Sequence, residues 1–140
     1  MNDKKKWGRY FTKKECLFDK IINIVKYNNT FLEPCCGEGH IVKKLENKFN
    51  NITCIDIIKS SQICKTPITF MNFFEFDLSN KYNTIITNPP YVSYRIFDNK
   101  IITNWKSCLP KTNLYLYFIE KCFFHLEKNG EIIFIIPIDF

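Results

Sequence analysis

Asn88, Pro89, Pro90 and Tyr91 follow directly on the apolar run Ile85-Ile86-Thr87. Ile and Thr pack well on a pleated surface and no charge interrupts them, so the run predicts a buried strand. The two prolines forbid its continuation. They remove two backbone donors, fix two φ angles, and push Asn88 out of the helical region. The Asn88 oxygen, the proline carbonyls and the Tyr91 ring are therefore held stiffly at a strand mouth, where open α/β sheets take their ligands. The Asn88 oxygen and a proline carbonyl are neutral acceptors that can share the two hydrogens of an amino group. Tyr91 offers a flat face to a base. A plain rigid turn is the competing reading, because Asn-Pro pairs commonly begin turns.

Other strand ends carry further candidates. After Thr30-Phe31-Leu32-Glu33 comes Pro34-Cys35-Cys36-Gly37-Glu38-Gly39. Gly37 and Gly39 let the backbone approach a ligand closely, and a helix starting at His40 supplies amide donors. The third glycine of a dinucleotide fingerprint is missing, and Glu33 would repel a pyrophosphate. A cofactor with a cationic end suits the loop better. S-adenosylmethionine carries an ammonium and a sulfonium, either of which Glu33 could attract. Asp56 closes a second strand, a position from which a carboxylate accepts both hydroxyls of a ribose. Phe73, just past a third strand, could stack on an adenine. Each has an ordinary alternative: a tight turn for the glycines, a strand-end acid meeting water for Asp56, core packing for Phe73.

The elements that must position these groups are legible in the apolar spacing. Thr12-Lys13-Lys14-Glu15 reads as a capping box opening a helix whose inner face is Leu17, Phe18, Ile21, Ile22 and Val25. Strands are expected at 30–33, 52–57, 67–71, 84–87 and 131–136. Helices are expected at 40–49 and 113–126, with a weaker short one at 60–64. Asn129-Gly130 is expected to end the last helix, and 92–111 shows no clear period. Strands alternating with helices predict an α/β fold with a largely parallel, Rossmann-like sheet.

Composition bounds the class. The chain has 140 residues, 46% of them hydrophobic, with Phe 14 and Tyr 7, which suits one domain with a real core. The net charge is +6, and the first twenty residues hold seven Lys/Arg against three acids. That patch could touch phosphates or simply be solvated. Seven cysteines without Cys-x-x-Cys spacing, and only two histidines, argue against a zinc site and for reduced thiols in an intracellular compartment. The longest apolar run, Ile132 to Ile136, is far too short to cross a bilayer, and the charged N-terminus lacks a signal core. A soluble intracellular protein is expected, with no membrane partner.

Together the motifs resemble those of the adenine-specific DNA amino-methyltransferases, in the group whose N-terminal cofactor motif comes first. The matching pieces are Gly8 to Thr12, Phe31 to Gly39, Asp56-Ile57, Asn72-Phe73-Phe74, Asn88 to Tyr91, Asn113-Leu114-Tyr115 to Lys121, and Gly130 to Phe140. They run in family order across nearly the whole chain. The resemblance implies a class I S-adenosylmethionine-dependent methyltransferase fold. It implies that Thr12, Glu33 and Cys35 contact the methionine end of the cofactor beside Gly37 and Gly39. Asp56 would hold the ribose, with Ile57 and Phe73 on the adenine. Asn88 and a proline carbonyl would hold the target amino group, and Tyr91 would stack on a DNA base flipped from the duplex. The family usually has an acid where this chain has Asn72. The amide oxygen of Asn72 can still accept from an adenine amino group, so weaker cofactor binding is expected.

The resemblance also predicts further strands after Phe140 and a target-recognition domain, neither of which this sequence contains. The expectation is one catalytic and cofactor-binding domain over 1–140, incomplete at its C-terminus and open to a second polypeptide. Two alternatives stand beside DNA adenine. One is methyl transfer to RNA adenine or a protein glutamine, since both are planar amino groups. The other is a non-catalytic cofactor-binding subunit.

Overall fold

The computed structural model describes residues 15–93, 102 and 113–136. Thr12, the rest of the proposed capping box before Glu15, most of 92–111 and the segment after Ile136 lie outside them. Within the described residues the order is α1 (Glu15–Ile24), β1 (Thr30–Glu33), α2 (His40–Leu45), β2 (Asn51–Asp56), β3 (Ile68–Phe70), a 3-10 turn (Phe73–Glu75), β4 (Tyr82–Thr87), α3 (Leu114–Phe124) and β5 (Leu126–Phe134). The strands form one sheet in the order β3-β2-β1-β4-β5. Every named pair is parallel.

Alternation along the strands splits the core into two layers. Phe31, Cys54 and Ile86 face α1 and α2, where Phe18, Ile21, Val42 and Leu45 are buried. Their sequence neighbours Leu32, Ile55 and Ile85 face α3, against Tyr117, Phe118 and Cys122. Each such fully buried side chain contributes about 1.5–3 kcal/mol relative to exposure. The sheet is thus covered on both faces, as a parallel sheet requires.

Three expectations need correcting. The segment 60–64 is not helical. Its polar groups are committed elsewhere: Ser60 Oγ donates to the Gly37 carbonyl, Ile63 N–H to the Glu38 carbonyl, and Gln62 Nε2 to the carbonyls of Cys64 and Thr66. Helix α2 stops at Leu45, four residues before Phe49, because Lys48 N–H closes a tighter turn on the Leu45 carbonyl. Phe49 remains buried, 5.0 Å from Phe31 between ring centroids. Strand β5 begins at Leu126, well before Asn129-Gly130. Tyr82 pairs with Leu126 and Thr84 already with Glu131, so the stretch between them bulges out. Asn129 takes φ 64° there, a region asparagine tolerates better than most residues.

Candidate active site

The sheet changes direction between β1 and β4, which lie side by side with Phe31 opposite Thr84 and Leu32 opposite Ile85. At such a switch point the connections leave toward opposite faces and a crevice opens at the carboxyl ends of the strands. An open cleft lies there. Pro34 and Cys35 line it from the end of β1, and Asp56, Ile57 and Ile58 from the end of β2. Asn72 and Phe73 line it from beyond β3, Pro90 from beyond β4, and Leu114 and Phe118 from α3. Six of the sequence-based candidates, Cys35, Asp56, Ile57, Asn72, Phe73 and Pro90, therefore meet in one cleft. Ile58, Leu114 and Phe118 join them. Leu114 and Phe118 belong to the motif piece that begins at Asn113, whereas nothing in the sequence marks Ile58.

Asp56 is buried and holds two backbone donors, Gly37 N–H on Oδ2 at 2.7 Å and Ile58 N–H on Oδ1 at 2.9 Å. It thereby ties the glycine loop to the end of β2. A carboxylate offers about four lone-pair sites, so acceptor capacity remains for hydroxyl groups in the cleft. Asp56→Asn would aim an amide N–H₂ at one of those backbone donors. The expected loss is about 1–3 kcal/mol of stability, read as a lower urea midpoint. An unchanged midpoint would show that the carboxylate does not hold the loop.

Glu33 lies behind the cleft wall. It is buried at the end of β1, and its Oε2 has no hydrogen-bond partner among the described residues. Burial, and then the charge of Asp56, push its carboxyl well above the usual range, while the Val42 N–H pulls it down. An unsatisfied buried carboxyl oxygen is costly, and a cationic group would satisfy it. Gly37 and Gly39 take left-handed φ values of 57° and 85°. The glycines are therefore needed for backbone conformation, which is the tight-turn alternative to close approach of a ligand.

Asn72 caps the 3-10 turn, its Oδ1 accepting from Phe74 N–H at 3.1 Å. Phe73 is both lining and core: it is 2% exposed, with Phe118 stacked on it at 5.3 Å. Asn88 and Tyr91 are half-buried beyond β4, and Pro89 and Pro90 are buried. The Tyr91 hydroxyl donates to Asn88 Oδ1 at 2.8 Å and also meets the Ile135 carbonyl of the segment after β5. Burial, with a smaller push from Cys35, raises the phenol to about 12, so it remains a donor near neutral pH. Its ring lies 6.1 Å from that of Tyr115, tilted by 53°. Both acceptor and aromatic thus stand at the mouth of β4, and the phenol already uses the Asn88 oxygen.

Among the described residues no group of three or more His, Cys, Asp or Glu side chains is arranged to hold a metal ion. Cys36, Cys54 and Cys122 are buried thiols, and burial pushes each of them well up.

The model of the Eco57I restriction-modification methylase family matches residues 9–140. The chain belongs to that family. The Type II methyltransferase M.AccI of Acinetobacter calcoaceticus is 30% identical over 159 residues, covering 100% of this chain and 29% of that protein. The Type II methyltransferase M.HincII of Haemophilus influenzae is 30% identical over 143 residues, covering 93% and 28%. The chain thus spans less than a third of these two relatives. Among solved structures, a Listeria monocytogenes protein assigned to the class I S-adenosylmethionine-dependent methyltransferases superposes with TM-score 0.70. It is 14% identical and covers 91% of this chain and 46% of its own. The type I restriction-modification methyltransferase subunit of Streptococcus thermophilus gives TM-score 0.61 at 16% identity, covering 91% and 34%. The fold of this Eco57I-family chain is therefore that of the class I methyltransferases, as its motifs implied.

Proposed function

We propose that this chain is the cofactor-binding and catalytic part of a DNA methyltransferase. In this reading it moves a methyl group from S-adenosylmethionine to the exocyclic amino group of adenine. The observation that carries the reading is the adjacency of the β1–β3 cleft to Asn88-Pro89-Pro90-Tyr91 at the switch point of the sheet. S-adenosylmethionine would supply an activated methyl group. Asp56 has acceptor capacity for its ribose, and the Ile57 and Phe73 side chains suit the faces of its adenine. Glu33 Oε2, buried without a partner among the described residues, suits its cationic end, with Thr12, Cys35 and the glycine loop assigned to the same end by resemblance.

An adenine amino group is a poor nucleophile because its lone pair is delocalised into the ring. The Asn88 oxygen and a proline carbonyl, both fixed, would draw the amino group toward a tetrahedral shape and free that lone pair. The rest is mainly positioning, worth several kcal/mol when the geometry is good. For the base to reach Asn88, the Tyr91 hydroxyl would leave Asn88 Oδ1 or share it, and the ring would stack on the base.

A second chain is part of the proposal. Within the described sheet β5 pairs only with β4, and Ile136 just beyond it is 45% exposed. An open strand edge beside an apolar residue invites further strands, from elsewhere in a longer chain or from a partner. Target recognition would come from the same source. The reaction would occur wherever DNA is held within the cell, and no helix among the described residues is long and apolar enough to cross a membrane.

The test is transfer of labelled methyl from S-adenosylmethionine to a mixed pool of DNA, RNA and protein, with the labelled product digested and identified. Methylated adenine recovered from DNA is the expected result. Label in RNA adenine or in glutamine would replace the substrate, and no label in any fraction from folded protein would favour a non-catalytic subunit.

A further inference from the structure

Helix α3 carries a lysine where its pattern calls for an apolar residue. Lys121 lies one turn after Tyr117 and one before His125, and all three are buried, Lys121 to 1% exposure. Its Nζ donates to the Phe76 carbonyl at 2.9 Å and stands 5.1 Å from the centroid of the Phe73 ring. One turn earlier Phe118 stacks on that ring. His125 lies 5.3 Å from it and 5.2 Å from Phe76, with Nδ1 at 2.9 Å from the Asn80 carbonyl. The turn after β3 is thus held by three side chains at successive turns of one helix. A buried ammonium is expensive and an apolar residue would pack there without that cost, so charge at this position calls for a use. Phe73, which it faces, lines the cleft.

We propose that Lys121 is a positioning residue for the cleft: its ammonium holds the Phe73 ring and the 72–76 turn from behind, in the placement that receives the flat ring of a purine nucleoside. The proposal rests on the reading of the cleft as an adenosyl site and adds the residue that sets its aromatic wall. The hydrogen bond to Phe76 fixes the turn, and the cation under Phe73 fixes the ring and draws its π-electrons toward the buried side.

The charge is also titratable within reach of experiment. Burial holds the Lys121 ammonium down at about 8. The groups acting on it are Glu75 and Asp77 from the turn after β3, and Cys122 beside it on α3. His125 ends the same helix, and Lys81 before β4 acts on His125. Burial lowers His125 further, so it stays neutral above pH 7, and Cys122 is pushed well up, so it stays protonated. Asp77 is held below its usual range by the Ser79 N–H and stays ionised. Deprotonation of Lys121 is then the change expected at the clamp between pH 7 and 9.5.

The test is binding of adenosine, which carries no group that titrates between pH 7 and 9.5, to the wild-type chain, Lys121→Met and Lys121→Arg, by calorimetry at pH 7, 8 and 9.5, with thermal melts as a fold control. At pH 7 the methionine variant is expected to bind about tenfold more weakly, and the arginine variant within about threefold of wild type. Wild-type affinity should fall as pH rises through 8, while arginine and methionine variants stay flat. A methionine variant that binds like wild type would overturn the proposal, and so would a wild-type affinity independent of pH or a fall shared by the arginine variant. If the methionine variant does not fold, the wild-type and arginine profiles decide alone. Absence of binding by folded wild type would instead overturn the adenosyl reading of the cleft, and the proposal with it.

Discussion

Asn88→Ala is expected to lower the rate of methyl transfer by about a hundredfold to a thousandfold, with affinity for the cofactor unchanged. The size is that seen when one preorganised polar partner of a reacting group is removed from an active site. The substitution takes away the Asn88 amide oxygen at the mouth of β4 and leaves the proline carbonyls. It also removes one acceptor of the Tyr91 hydroxyl, which keeps the Ile135 carbonyl, so a stability loss of only about 1 kcal/mol is expected. Asn88→Asp preserves an acceptor oxygen and should retain measurable transfer. The measurements are single-turnover transfer to DNA, cofactor binding and a melting curve. If the alanine variant transfers at the wild-type rate, Asn88 does not hold the target amino group. If cofactor binding falls in parallel with the rate, its role lies in the cleft instead.

Gly39→Ala is expected to destabilise the fold by about 2 kcal/mol or more and to lower Tm by about 5–10 °C. Two costs combine. Gly39 sits at φ 85°, where an L side chain costs about 1–2 kcal/mol. A Cβ built there would also stand 2.4 Å from Cys64 Sγ and 3.1 Å from Cys64 Cβ. Cys64 is buried and cannot simply swing into solvent. Gly39 is also the hinge into α2, donating to the Cys36 carbonyl and accepting from Lys43 N–H. The double variant Gly39→Ala/Cys64→Ala removes the Sγ clash and keeps the 3.1 Å Cβ contact and the backbone cost, so it should recover part of the loss. Wild-type Tm for the single variant would contradict both the left-handed backbone and the contact. A displaced loop would pull Gly37 from Asp56, so weaker cofactor binding is expected to accompany the lower Tm.

Local patterns carried much of this into the sequence. The run 84–87 is short, apolar and β-branched, and it announces itself. Helix α3 begins where Asn113 can cap it, and its Oδ1 does accept from Tyr115 N–H. The segment 60–64 misled because its mild apolar content gave no sign that the glycine loop and its own side chains would claim its polar groups. Asn129-Gly130 misled for a related reason: a turn signal marks a change of direction, and here that change is a bulge within β5. Lys121 was readable in principle, as the one charge on the apolar stripe 114–117–118–121–122–125.

The sequence by itself determined the alternation of elements, the glycine loop after the first strand, the stiff Asn88 to Tyr91 corner and the family likeness. All of these depend on residues close together along the chain. Only the tertiary structure decided that β1 lies between β2 and β4, which sets Asp56, Phe73 and Pro90 around one cleft. It alone decided that Glu33 is buried with an oxygen unsatisfied among the described residues, that Tyr91 occupies the Asn88 acceptor, and that a buried ammonium faces Phe73. Strand order and burial follow from long-range packing, in which each apolar face finds its cover from distant segments. No local propensity encodes which partner that will be.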